Sequence, residues 1–182
     1  MPKSSLNPPK ESALIPLPLE KDTEHLAQQL AMALKALFEQ NPSTCVHIDL
    51  VGDLGAGKTT LTRYLLNSLG HIGKVKSPTY ALCEPYEISI HGALISVHHF
   101  DLYRMTYPKE WIDAGFRDAF SQPGICLVEW PEKAEGTLSA TDLTIQMDAD
   151  FAHSAQEHGN RSAKLLSWSD VGHQLLNSIK LS

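Results

Sequence analysis

Gly52, Gly57, Lys58 and Thr59 satisfy the spacing G-x-x-x-x-G-K-[ST] within the run Gly52-Asp53-Leu54-Gly55-Ala56-Gly57-Lys58-Thr59-Thr60. Each residue type has a physical use at its position. The glycines let the backbone curl without Cβ clashes, so successive N–H groups turn inward on one anion. A helix opening at Lys58 aims the positive end of its dipole at the same point. The Lys58 ammonium reaches β- and γ-phosphate oxygens, and the Thr59 hydroxyl suits a magnesium ion. Thr60 adds a contact to an α-phosphate. The chemistry expected is a triphosphate cradle formed by Asp53, Leu54, Gly55, Ala56, Gly57, Lys58, Thr59 and Thr60. A glycine-rich turn of purely structural use is the alternative. The run, however, follows a β-branched stretch and precedes a helical pattern, which is where a phosphate loop must sit.

A phosphate loop needs a carboxylate near the metal, supplied from the end of a neighbouring strand. Two acids fit: Asp101 ends the stretch Leu94–Phe100, and Glu129 ends the apolar run Ile125–Val128. Sheets of this kind deliver the C-terminal ends of their strands to the ligand crevice, so both acids are expected beside Thr59. The pair His98-His99 does not suggest a shared ion, because adjacent strand residues point to opposite faces. One ring is expected to pack or bond inside and the other to be wetted. Arg104, Lys74 and Lys76 are candidates for phosphate or RNA contact, although loop lysines are ordinarily just solvated.

The elements that must hold these residues can be read in order. Five of the eleven prolines fall in the first eighteen residues, so residues 1–11 are expected to form a disordered tail, with residues 12–182 a single domain. Ala13–Pro16 reads as an edge strand, where proline is tolerated. Asp22 and Thr23 offer N-cap oxygens to a helix carrying Leu26, Leu30, Leu34 and Leu37 on one side, and Asn41-Pro42 stops it. Cys45–Val51 reads as a buried strand. Residues 59–69 read as a helix closed by Gly70, and His71–Tyr80 as a polar, basic loop. Residues 80–88 and 92–100 read as a hairpin turning at His91-Gly92. A short helical region at 108–120 leads to the strand Ile125–Val128. Strands near 142–147 and 163–167 then precede a helix capped by Ser169. The expected fold is a three-layer α/β sandwich of the P-loop NTPase kind, around a central mixed, mostly parallel sheet.

The net charge of −6 argues against a broad basic face for nucleic acid. Cys45, Cys83 and Cys126 show no metal-ligand spacing and read as reduced core thiols. No apolar stretch approaches the length that spans a bilayer, and the proline-broken start lacks the apolar run of a secretory signal. The cytoplasm is the expected compartment. No DxxG follows Thr59, and neither NKxD nor TKxD occurs, which favours ATP over GTP. A small-molecule kinase is the alternative reading, although residues 131–140, the natural lid, contain no arginine.

Several motifs together resemble the TsaE (YjeE) family, the P-loop ATPases of bacterial tRNA threonylcarbamoyladenosine biosynthesis. They are GDLGAGKTT at 52–60, GKVKSPTY at 73–80, HFDLYR at 99–104, GFRDAF at 115–120 and LVEWPE at 127–132. The resemblance covers about residues 15–182. It implies ATP and Mg²⁺ as ligands, TsaB and TsaD as a heterodimeric partner, and tRNA as an indirect partner through that complex. TsaD transfers threonylcarbamoyl to the adenosine 3′ of the anticodon in tRNAs reading ANN codons, and the TsaE-like subunit hydrolyses ATP to permit repeated turnover. By the same resemblance Lys58, Asp101 and Glu129 are catalytic, and Thr59 and Glu129 are associated with the metal. Trp130 lies beside the nucleotide, Ser77-Pro78-Thr79-Tyr80 forms a switch-like loop, and Thr23 lies in the segment approaching the base. His98 stands where the family commonly has tyrosine, and Lys109 and Trp111 flank Glu110 in a region that is usually more acidic. These departures bear on partner contacts more than on the nucleotide site.

Overall fold

Alternation in Cys45–Val51 (β2) sends Val46, Ile48 and Leu50 to one face and His47 and Asp49 to the other. Around this strand the chain builds a seven-stranded sheet. A computed structural model describes residues 8–78, 80–134, 136–150 and 160–179. The remaining strands are β1 (Glu11–Pro16), β3 (Cys83–Ile90), β4 (Ala93–Asp101), β5 (Gly124–Glu129), β6 (Leu143–Asp150) and β7 (Asn160–Ser167), and the spatial order is β1-β7-β6-β2-β5-β4-β3. Strands β6, β2, β5 and β4 are parallel neighbours, while β3 and β7 run against them and β1 runs against β7. Five of the seven strands therefore share one direction, the mixed and mostly parallel sheet expected.

Helices α1 (Glu20–Gln40), α2 (Lys58–Leu69) and α4 (Asp170–Ser178) cover one face. Their apolar stripes, such as Leu26, Leu30, Leu34 and Leu37 of α1, meet Ile48, Val97, Leu127 and Ile145 from the strands in the larger core. The other face is covered by α3 (Glu110–Asp113) and two 3₁₀ turns, Phe116–Phe120 and Pro131–Ala134. There Phe120 lies 5.0 Å from Phe100 and 4.8 Å from Trp111 between ring centroids, forming a smaller aromatic core. Three layers result, with one core above the sheet and one below.

Local signals place most boundaries. Gly70 closes α2 at φ +116°, and the two-residue turn His91-Gly92 joins β3 to β4 with both φ angles positive. Ser169 Oγ accepts from the Gly172 amide at 3.0 Å and so starts α4. Several boundaries differ from expectation, among them β3, which runs Cys83–Ile90 and not 80–88, and β7, which opens at Asn160 and not near 163. Helix α1 opens at Glu20, because Asp22 sits in its first turn and accepts the Leu19 amide at 2.8 Å. Thr23 therefore turns inward and is buried, not a cap. Strand β1 begins at Glu11, two residues before Ala13, since Glu11 and Ser12 pair with Ser167 and Leu166. Of the tail expected at 1–11, residues 1–7 lie outside the described residues.

Two features of β2 bear on stability and can be tested. Gly52, at its end, has φ +147°, and a Cβ there would stand 2.2 Å from the Met147 carbonyl oxygen of β6. Gly52→Ala is expected to destabilise the fold by at least about 2 kcal/mol, read from the urea midpoint. An unchanged midpoint would mean that the loop and β6 part without penalty. Asp49, on the face of β2 that meets the smaller core, has its carboxyl raised from 3.8 to about 7. Burial is the main cause, opposed by a hydrogen bond from Thr141 and reinforced by Glu132 and Asp142. The folded chain thus holds a proton that the unfolded chain releases near pH 4. The contribution of Asp49 to stability is therefore greatest below that point and falls as pH rises towards 7. The advantage of Asp49→Asn over the parent should grow by about 2 kcal/mol between pH 5 and pH 7, at 1.36 kcal/mol per unit and discounted for partial exposure. Parallel pH profiles for the two proteins would refute this.

Candidate active site

Three parallel strands bring their C-terminal ends to one edge. Leu50 pairs with Glu129 across β2 and β5, and Asp101 pairs with Glu129 across β4 and β5. The chain leaving β2 at Val51 enters the glycine-rich loop directly, and α2 starts at Lys58 with Gly57 at φ +106° before it. The loop, the helix N-terminus and both acids therefore face a common hollow, as strand-end geometry requires.

That hollow has a volume of about 430 Å³. Of the residues expected from sequence, it brings together Leu54, Gly55, Gly57, Lys58, Thr59, Thr60, Asp101, Glu129 and Trp130. Ser77, Tyr103 and Arg104 complete the lining. Asp53 and Gly52 line a smaller adjoining hollow of about 230 Å³ that shares Trp130. Ala56 is buried under the loop, where its amide donates to the Asp53 carbonyl at 3.1 Å. Thr23 is buried within α1 and is not part of either lining. Thr79 of the segment expected to be switch-like lies outside the described residues, while Ser77 Oγ donates to Asp101 Oδ2 at 3.1 Å.

The acids are held in different ways. Asp101 also accepts the Tyr103 amide on Oδ1 at 3.1 Å, so donors from two segments grip its carboxylate. Glu129 is only 2% exposed. The Thr59 hydroxyl donates to it, lying 2.9 and 3.0 Å from its two oxygens, and His99 Nε2 lies 2.8 Å from Oε1. Sequence reasoning placed one of the two histidines inside, and His99 is that one, but no role was assigned to it. A usable signal existed: His99 precedes Asp101 by two residues on the same strand and so shares its face.

Lys58, 4% exposed, donates to the carbonyls of Gly52 and Asp53, the latter at 2.9 Å. Its ammonium also sits 3.9 Å above the Trp130 ring, which in turn lies 4.9 Å from Tyr103. Burial pulls the Lys58 pKa below the usual lysine range, against the opposing attraction of Glu129, Glu132, Asp101 and Asp53. Arg104 stacks over Tyr80 at 4.3 Å and reaches its hydroxyl at 3.4 Å. Among the described residues no group of three or more His, Cys, Asp and Glu side chains could cage a metal. A hydroxyl and a carboxylate beside a glycine-rich loop would instead suit magnesium, which takes few protein ligands and fills the rest of its shell with water and ligand oxygens.

The family described as "Threonylcarbamoyl adenosine biosynthesis protein TsaE" matches residues 17–158. A "tRNA threonylcarbamoyladenosine biosynthesis protein TsaE" of Haemophilus influenzae is 41% identical over 136 residues, covering 71% of this chain and 84% of that protein. The protein of the same name from Rickettsia conorii is 32% identical over 131 residues, covering 71% and 67%. A solved structure titled "Crystal structure of Bacillus subtilus YdiB" superposes with a TM-score of 0.67, covering 93% of this chain and 94% of that one. At 22% identity that likeness speaks to the fold alone. With the family pattern matched over residues 17–158, most of this chain, and with relatives this similar, the chain belongs to the TsaE family.

Proposed function

We propose that this chain binds ATP with Mg²⁺ at Gly52–Thr60 and hydrolyses it as the energy-using subunit of tRNA threonylcarbamoyladenosine synthesis. In this reading it acts in the cytoplasm with a TsaB–TsaD heterodimer, permits repeated turnover of threonylcarbamoyl transfer, and meets tRNA only through that complex. The observation that carries the proposal is the Thr59–Glu129 contact beneath the glycine-rich loop, with Asp101 in register beside it. The names of the relatives support the pathway. No helix among the described residues is long and apolar enough to cross a membrane.

Each residue has a definable task. Loop amides and the Lys58 ammonium hold phosphate oxygens, with Lys58 exchanging its bonds to Gly52 and Asp53 for bonds to the ligand. The Thr59 hydroxyl donates its hydrogen to Glu129 and keeps its lone pairs for a ligand. Asp101, gripped by Ser77 and the Tyr103 amide, orients the attacking water from a fixed position. Mg²⁺, when bound, offsets negative charge on the phosphates. Arg104 lines the hollow and serves as the candidate cation in cis for the charge that develops at the transferred group.

Lys58→Ala and Glu129→Gln are each expected to lower ATP hydrolysis by about 100-fold or more, measured as phosphate release. The parent protein should hydrolyse slowly alone and faster with TsaB–TsaD. In multiple-turnover modification assays containing TsaB, TsaD and the adduct synthase, omitting the chain or supplying Lys58→Ala should stop product formation after about one round. Full turnover with Glu129→Gln would convert the reading to a non-hydrolysing adaptor. Phosphate appearing on a small-molecule acceptor would make the protein a kinase.

A further inference from the structure

We infer that His99 is the positioning residue that sets the Glu129 carboxylate for its metal-side task, an inference that rests on the nucleotide-site reading above. His99 is 0% exposed. It lies on β4 opposite Leu127 of β5, two residues along the strand from the Asp101–Glu129 pair and on the same face. Its Nε2 stands 2.8 Å from Glu129 Oε1. An ionised carboxylate can only accept, so Nε2 carries the hydrogen and donates it.

No protein group among the described residues bonds the other ring nitrogen, Nδ1. Among the described residues the side chain's hydrogen bonding is therefore committed to Glu129 alone. A buried imidazole kept only for packing would do better as an apolar residue of similar size, which has no ring nitrogen to satisfy. The ring is polar where Glu129 needs a donor and idle elsewhere.

Thr59 cannot set the carboxylate by itself. Its hydroxyl oxygen stands 2.9 and 3.0 Å from Oε1 and Oε2, and with one hydrogen to give it does not by itself distinguish the two oxygens. The His99 donor breaks that symmetry by engaging Oε1. Oε2 is left as the oxygen with spare acceptor capacity. Two donors from different elements, α2 and β4, then hold the group in one orientation, in the way outer partners orient metal-associated ligands.

The test uses His99→Leu, which removes the donor, and His99→Gln, which keeps an N–H donor at the end of the side chain. Binding of a fluorescent ATP analogue is titrated with and without Mg²⁺. His99→Leu should lose about tenfold of the affinity that Mg²⁺ confers on the parent, and His99→Gln should retain most of it. Affinity without Mg²⁺, set by loop amides and Lys58, should match in all three. An unchanged Mg²⁺ response in His99→Leu, or an equal loss in His99→Gln, would overturn the inference. Absence of any Mg²⁺ response in the parent protein would instead remove the nucleotide-site reading, and the inference with it. ¹⁵N NMR of the parent imidazole provides a check that needs no variant to fold. The hydrogen of His99 should reside on Nε2, and a bare Nε2 would refute the proposed donation.

Discussion

A carboxylate buried at the end of a strand is the constraint on which the rest of this structure turns. Taking Glu129 out of water to 2% exposure costs several kcal/mol unless donors replace the lost solvent. Those donors come from places far apart in the chain: Thr59 from the start of α2 and His99 from β4. Neither can reach Glu129 unless β5 lies between β2 and β4, with Leu50 and Asp101 in register with it on either side. The strand order β2-β5-β4, the placement of α2 over the sheet and the direction of all three strands together bring both donors to this one buried carboxylate.

The two cores divide the work around that point. The larger one, where α1, α2 and α4 pack on Ile48, Val97, Leu127 and Ile145, holds α2 over the strand ends and so fixes the height of Thr59. The smaller one packs Phe100, Trp111, Phe120 and Val128 under the same strands and carries the turn Pro131–Ala134 that follows the site. Parallel strands buried on both faces read as continuous apolar runs, which is why β5 is apolar from Ile125 to Val128 with no polar interruption. Asp49 breaks that rule in β2, and its raised carboxyl pKa reflects a polar group placed in a layer built for apolar ones.

Legibility in the sequence followed how local each determinant was. Strand β2, the glycine-rich loop, the turn at His91-Gly92 and the cap at Ser169 depend on residues within a few positions of one another, and all four sit where the residues placed them. The two acids were legible because strand-end position is a local property, while their mutual register needed the sheet. The placing of Thr23 as a cap missed because Asp22 bonds back to the Leu19 amide and moves the helix start upstream. Residues Tyr103 and His99 were visible in a motif but had no assigned task, since each acts through a partner distant in sequence: Trp130 for one and Glu129 for the other. Pairings of that kind leave no periodic trace.

Trp130 shows how such non-local demands override local preference. It adopts φ +60°, a left-handed conformation that disfavours bulky side chains. Glycine would relax the backbone, and relieving such a position is worth on the order of 1 kcal/mol. Glycine, however, has no ring to sit 3.9 Å beneath the Lys58 ammonium or 4.9 Å from Tyr103. The left-handed turn is also what diverts the chain from the sheet after Glu129, so the ring can reach the loop while the carboxylate stays in the strand. Two neighbouring residues therefore serve the hollow by opposite means, one by ending a strand and the other by leaving it. The strain at Trp130 follows from asking consecutive positions to face the same hollow.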